Sequence, residues 1–183
     1  MGKRIVIIGG VAAGPKAACR VKRVMPDADV TLIDQDSLIS YGGCGIPYYV
    51  SGDVADEKEL RSTSFHMLRD EYFFEKAKGV KTLTSTRALS INRREKYVML
   101  ENLQSGERSK LSYDNLMIAT GSQPVVLPIP GKDADGVFTI SDLHKAIEIK
   151  ERIAKGAVGK AVVIGGGAIG IEMAEALTDL WGV

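Results

Sequence analysis

The chain contains two cysteines, Cys19 and Cys44, and their surroundings differ sharply. Cys44 lies in ISYGGCGIPYY, residues 39–49, flanked by Gly42, Gly43 and Gly45, which strip side chains from around the sulfur. The following GIPYYVSG starts a helical turn with Pro47 in its first turn, a setting in which a helix dipole favours a thiolate. The position five before Cys44 is Ile39, so no closely spaced cysteine pair can store electrons as an internal disulfide. Cys19, 25 residues upstream in a predicted first helix, is expected to be a small core residue. A solitary redox thiol must cycle through a mixed disulfide with a small thiol, a persulfide or a sulfenic acid. The competing reading is a buried structural cysteine. Tyr48 and Tyr49 are expected to pack in the core, with closure of a pocket as the second reading.

Glycines mark two further sites. KRIVIIGG reads as a buried parallel strand through Ile5–Ile8, followed by the turn GGVAAG, a helix over PKAACRVKRVMP and a second strand in DVTLIDQD. Strand, glycine turn, helix, strand and acid form the dinucleotide fingerprint. Gly9 permits the tight turn, Gly14 lets helix and strand pack closely, and the helix N-terminus offers N–H groups to a pyrophosphate. Asp34, 20 residues after Gly14, is placed to accept hydrogen bonds from a ribose. Val11 stands where the middle glycine of the motif would be, and Pro15 is tolerated in a first helical turn. A bare α/β domain with a glycine turn is the alternative. A second start, KAVVIGGGAIGIEMAEALTDLWGV, carries Gly165, Gly167 and Gly170 in the full G-x-G-x-x-G pattern after an expected strand Ala161–Ile164. No second strand or ribose-binding acid follows it, so stable cofactor binding there is not expected.

The elements that must position these residues are legible between the two starts. Val80–Leu83 reads as a third parallel strand. RALSINRREKYVMLEN and the turn QSGE read as a β-meander, and Leu116–Ala119 as another buried strand. Pro124, Pro128, Pro130 and Gly131 mark a crossover linker. A helix follows with Ser141 as N-cap and an apolar stripe of Leu143, Ala146, Ile147 and Ile153. The expected organisation is a first domain over 1–123, a linker over 124–140 and the incomplete start of a second domain over 141–183.

Composition excludes several classes. Hydrophobic residues make up 45% and charged residues 26% of the 183, as in a soluble globular protein. The net charge of +1 gives no bulk electrostatic case for a nucleic acid or a membrane surface. No run approaches the ~18 apolar residues of a membrane span. MGKRIVIIGG reads as a first strand and not a signal peptide, so a cytoplasmic protein is expected. No His/Cys/Asp cluster has metal-ligand spacing, His144 reads as a surface residue, and no metal is expected.

Taken in order, IVIIGGVAAG with Asp34, ISYGGCGIPYY, LMIATGSQP and AVVIGGGAIGIE resemble the flavin-dependent pyridine nucleotide-disulfide oxidoreductases. They are most similar to the single-cysteine branch of coenzyme A-disulfide reductases, coenzyme A persulfide reductases and NADH oxidases. The resemblance spans the whole chain and implies an α/β fold: a Rossmann-like FAD-binding domain with a parallel sheet and inserted β-meander, then the start of a second Rossmann-like NAD(P)H-binding domain. It implies that Gly9, Gly10, Ala13, Gly14 and Asp34 meet FAD, with Ala119, Thr120 and Gly121 where the chain passes the cofactor. Gly165, Gly167, Gly170 and Glu172 would meet NAD(P)H. Cys44 takes the place of the redox cysteine beside the flavin, and Ser40 that of the serine preceding it; the glycines leave room for a flat ring and a substrate. Arg20, Lys22 and Arg23 occupy the basic stretch that holds coenzyme A, and a solvated helix face is an equal reading of them. Gln35 departs from the basic residue that many relatives carry after the acid.

The activity implied is FAD-dependent reduction of a coenzyme A-type disulfide or persulfide by NAD(P)H. Oxygen reduction through a cysteine sulfenic acid, or a non-catalytic FAD-binding fragment, are the alternatives. The later flavin, NAD and dimerisation segments of the family lie outside these 183 residues. The chain is therefore expected to be the N-terminal piece of a longer enzyme, homodimeric when full length and not competent alone.

Overall fold

A computed structural model describes residues 2–179 and 181–183. The chain divides into two compact units. The first runs to Tyr41 and resumes over Arg61–Gly121; the second comprises Gly42–Leu60 and Ser122–Val183.

The first unit is built on a four-stranded parallel sheet of β1 (Arg4–Ile8), β2 (Asp29–Ile33), β3 (Lys81–Leu83) and β7 (Asn115–Ile118), in the order β3-β2-β1-β7. Helix α1 (Ala13–Val24) links β1 to β2, and α4 (Glu71–Lys78) precedes β3. Successive side chains of a strand point to opposite faces, and β1 shows the consequence. Ile7 joins Val30, Leu32, Ala18 and Phe74 in one core, while Val6 and Ile8 join Ile33, Val98, Leu100 and Tyr113 in another. The second core is completed by the antiparallel meander β4 (Thr86–Asn92), β5 (Tyr97–Asn102) and β6 (Arg108–Ser112). Both meander turns use one device: the Oδ1 of Asn92 accepts from the amides of Arg94 and Glu95, and that of Asn102 from Gln104 and Ser105. At the bottom of the sheet the Arg4 amide and guanidinium donate to Asp114, while the Asp114 amide donates to the Arg4 carbonyl. That pairing draws the Asp114 carboxyl down to about 2, foremost through the Arg4 hydrogen bonds.

The second unit holds a 3-10 turn at Gly43–Gly45 running directly into α2 (Ile46–Ser51), then α3 (Glu57–Leu60), α5 (Leu143–Ala154) and α6 (Ala168–Asp179). Helix α2 packs against both α5 and α6. The expected stripe of α5 is buried at Leu143, Ala146 and Ile153, with Ile149 beside them, whereas Ile147 is half-buried. Its N-cap is Asp142 in place of the expected Ser141. The Asp142 carboxylate accepts from the Lys145 amide, and the Ser141 hydroxyl donates to that same carboxylate. A carboxylate one residue nearer the helix outcompetes the hydroxyl for the orphan N–H groups.

The expected strand Ala161–Ile164 does not form: these residues have no regular structure and no ladder partners, and Val162 and Ile164 are 79% and 70% exposed. An apolar run becomes a strand only beside another strand, and the second unit contains none among the described residues. No helix among the described residues is long and apolar enough to cross a membrane.

Candidate functional site

In the first unit, the upper ends of β1, β2 and β7 converge. The Gly9 amide donates to Ile33 O at 2.8 Å, and the Ala119 amide to Ile8 O at 2.7 Å. Gly9 has φ +115°, and a Cβ on it would fall 2.1 Å from the Ala119 carbonyl oxygen. A Cβ on Gly14 would fall 1.8 Å from the Gly9 carbonyl oxygen, so both positions admit only hydrogen. Gly10 is enclosed by the Asp34 and Ile39 side chains. Helix α1 begins at Ala13 with no side-chain cap and no acid in its first turn. Its orphan amides therefore present an uncompensated positive end to an anion. Thr120 and Gly121 continue from Ala119 as exposed residues, Gly121 with φ +68°. This cradle, with every close approach made by glycine, fits the pyrophosphate of a dinucleotide.

The expected ribose ligand, Asp34, also serves the turn itself. Its carboxylate accepts from the Gly10 and Asp36 amides, so it fastens the glycine turn to the end of β2. Beside it, a cleft of about 380 Å³ is lined by Gln35, Asp36, Ser37, Ser85, Arg87, Leu103 and Gln104. Arg87 Nε donates to Gln35 Oε1 at 3.1 Å across the strand ends. The cation beside this cleft thus comes from β4, distant in sequence from Gln35.

Ser40 is buried, with a left-handed backbone at φ +56° that a serine rarely adopts. Its amide donates to Gly10 O at 2.8 Å, tying the start of the cysteine segment to the glycine turn. Of the basic residues, Arg20 and Arg23 are exposed on α1. The Lys22 ammonium donates to the Pro26 and Ala28 carbonyls and closes the helix end. Cys19 is half-buried against the core of the first unit.

In the second unit, Cys44 is exposed in the 3-10 turn, and both cysteines are free thiols. A Cβ on Gly43 would meet nothing within 4 Å. Gly45 has another reason to be glycine: its Cβ would fall 2.5 Å from the Leu60 side chain. Tyr49 is buried as expected, but Tyr48 is 58% exposed, because neighbouring residues of a helix point about 100° apart and only one side of α2 is covered there. The second glycine turn repeats the first. Gly165 has φ +115°, as Gly9 does, and a Cβ on Gly170 would fall 2.0 Å from the Gly165 carbonyl oxygen. Gly167 is unobstructed, and Glu172 is exposed one turn into α6. No group of three or more His, Cys, Asp or Glu among the described residues could hold a metal ion.

Residues 3–183 match the family model described as pyridine nucleotide-disulphide oxidoreductase. The chain belongs to this family. Among oxidoreductases of the family, it is 38% identical over 174 residues to the NAD(P)H sulfur oxidoreductase (CoA-dependent) of Pyrococcus abyssi, spanning 95% of this chain and 36% of that protein. The solved NAD-dependent persulfide reductase from A. fulgidus superposes with a TM-score of 0.93 at 44% identity, over 97% of this chain and 32% of that one. The water-forming NADH oxidase from Lactobacillus brevis superposes at 0.88 with 29% identity, over 98% and 38%. The chain therefore spans about a third of the length of the relatives it matches.

Proposed function

We propose that this chain is the flavin-binding, cysteine-bearing part of an NAD(P)H-dependent reductase of coenzyme A-type disulfides or persulfides. On this reading the domain division follows the sequence motifs: FAD on the first glycine turn, NAD(P)H on the second. The observation that carries the reading is Cys44, an exposed thiol in a glycine turn at the head of α2, while the other cysteine sits against a core. Similarity to a coenzyme A-dependent sulfur oxidoreductase and to a persulfide reductase supports the substrate class.

Gly9, Gly10, Ala13 and Gly14 would hold the FAD pyrophosphate against the α1 amides, with Arg87 and Gln35 at its adenosine end and Ala119–Gly121 along its passage. FAD held there would supply the two electrons, with NAD(P)H as their source. The Cys44 thiolate attacks one sulfur of the substrate disulfide; a new S–S bond forms, the old one breaks, and one thiolate leaves. Two electrons and a proton then release the second thiol and regenerate the Cys44 thiolate. Arg20 and Arg23, which make no ion pair among the described residues, are candidates for the substrate's phosphates, and Ser40 sets the entry of the segment. Similarity to the Lactobacillus brevis NADH oxidase supports a second reading, in which oxygen is the acceptor and Cys44 passes through a sulfenic acid.

The test is adduct mapping. The reduced chain is incubated with coenzyme A disulfide and digested, and the modified peptide is identified by mass. A coenzyme A adduct on the Cys44 peptide with release of one thiol per chain is expected. An adduct on Cys19, or none, contradicts the proposal, and trapping by dimedone after peroxide without any disulfide reaction favours the oxygen reading.

A further inference from the structure

Helix α2 carries Cys44 on a 3-10 turn continuous with its first residue, so any movement of α2 moves the sulfur. The helix has six residues and could not hold its own orientation in water. Its N-terminal side is fixed locally, the Gly42 amide donating to Leu60 O at 2.9 Å. Its C-terminal side is fixed from far along the chain. Trp181 Nε1 donates to the carbonyl of Val50, a fully buried residue, at 2.8 Å across 131 residues of sequence. Lys150, on α5, donates its ammonium to Val54 O at 2.8 Å and Ala55 O at 3.1 Å. The same ammonium lies 3.9 Å from the Tyr49 ring centroid. Burial lowers its proton affinity against the opposing pull of Asp56 and Glu59, which marks a cation drawn into the packing.

We propose that Trp181, assisted by Lys150, is a positioning residue for Cys44: it clamps the carbonyl end of α2 and so fixes the line along which the thiolate meets an incoming disulfide. Trp181 follows α6, whose head is the glycine turn Gly165–Gly170. The clamp thus joins a helix that begins at a nucleotide turn to the helix that bears the thiol. A buried carbonyl must keep a donor, and the indole N–H is a donor whose reach is fixed by a rigid ring. The inference rests on the reading of Cys44 as the redox thiol.

Thiolate attack on a disulfide requires alignment with the S–S axis, whereas alkylation by iodoacetamide requires only an exposed thiolate. The full 183-residue chain is therefore compared with Trp181→Phe, which keeps the ring and removes the donor, and with Lys150→Met. Rates at Cys44 are measured with both reagents after circular dichroism has matched the helix content. In Trp181→Phe, reaction with coenzyme A disulfide is expected to slow about tenfold or more while alkylation is unchanged; Lys150→Met moves the same ratio less. An unchanged ratio in both variants overturns the clamp while leaving the redox reading intact, and equal slowing with both reagents also overturns it. A wild-type chain that does not react at Cys44 with the disulfide overturns the redox reading and the clamp together.

Discussion

Gly14 has no room for a methyl group, since a Cβ there would sit 1.8 Å from the Gly9 carbonyl oxygen, a backbone atom that cannot swing away. Gly14→Ala should cost about 1–3 kcal/mol by overpacking and abolish flavin retention. Urea unfolding and the flavin spectrum check both, and an unchanged midpoint would contradict the packing argument. Asp34 acts on the same turn from the other side. Asp34→Ala leaves the Gly10 and Asp36 amides without their acceptor, a loss of about 1–3 kcal/mol, read by the same melts. Cys19→Ala should leave the Cys44 adduct unaltered, because Cys19 serves packing in the other unit. At this scale Gly9, Gly14 and Gly170 were legible, because each is required by a contact its spacing implies, whereas a Cβ on Gly43 or Gly167 would meet nothing. The turn of Asp34 onto backbone amides, the Arg87–Gln35 pair and the Trp181 clamp were not. Each depends on a partner distant in sequence, and for Trp181 the only local signal is a single tryptophan just past a helix.

Elements show where pattern reading succeeds and where it stops. The continuous apolar run of β1 called for burial on both faces, and two cores are found on them. The same reasoning failed at Ala161–Ile164, where an equally apolar run stays exposed because strand formation is a property of pairs. The Asp114–Arg4 lock at the base of β1 and β7 has a pH signature. The folded carboxyl titrates at about 2, below its ordinary 3.8, so the lock is fully present above the ordinary value and is lost as pH falls through the folded one. The melting temperature of the wild type should therefore exceed that of Asp114→Asn above about pH 4, with the gap narrowing toward pH 2. A gap that widens on acidification would contradict the assignment.

For the whole molecule, the family was readable from the order of four motifs, and the match over residues 3–183 bears it out. The acceptor was not readable, since the relatives at this similarity include sulfur reductases and an oxidase, and the chain spans about a third of their length. On the proposed reading the chain supplies a flavin cradle and one redox thiol, Cys44. The most direct measurement is the absorption spectrum of the purified, flavin-loaded chain after stoichiometric reduction. A long-wavelength thiolate-to-flavin charge-transfer band that disappears in Cys44→Ser is the predicted result. Bound flavin with a spectrum indifferent to Cys44→Ser, or a chain that takes up no flavin, would contradict it.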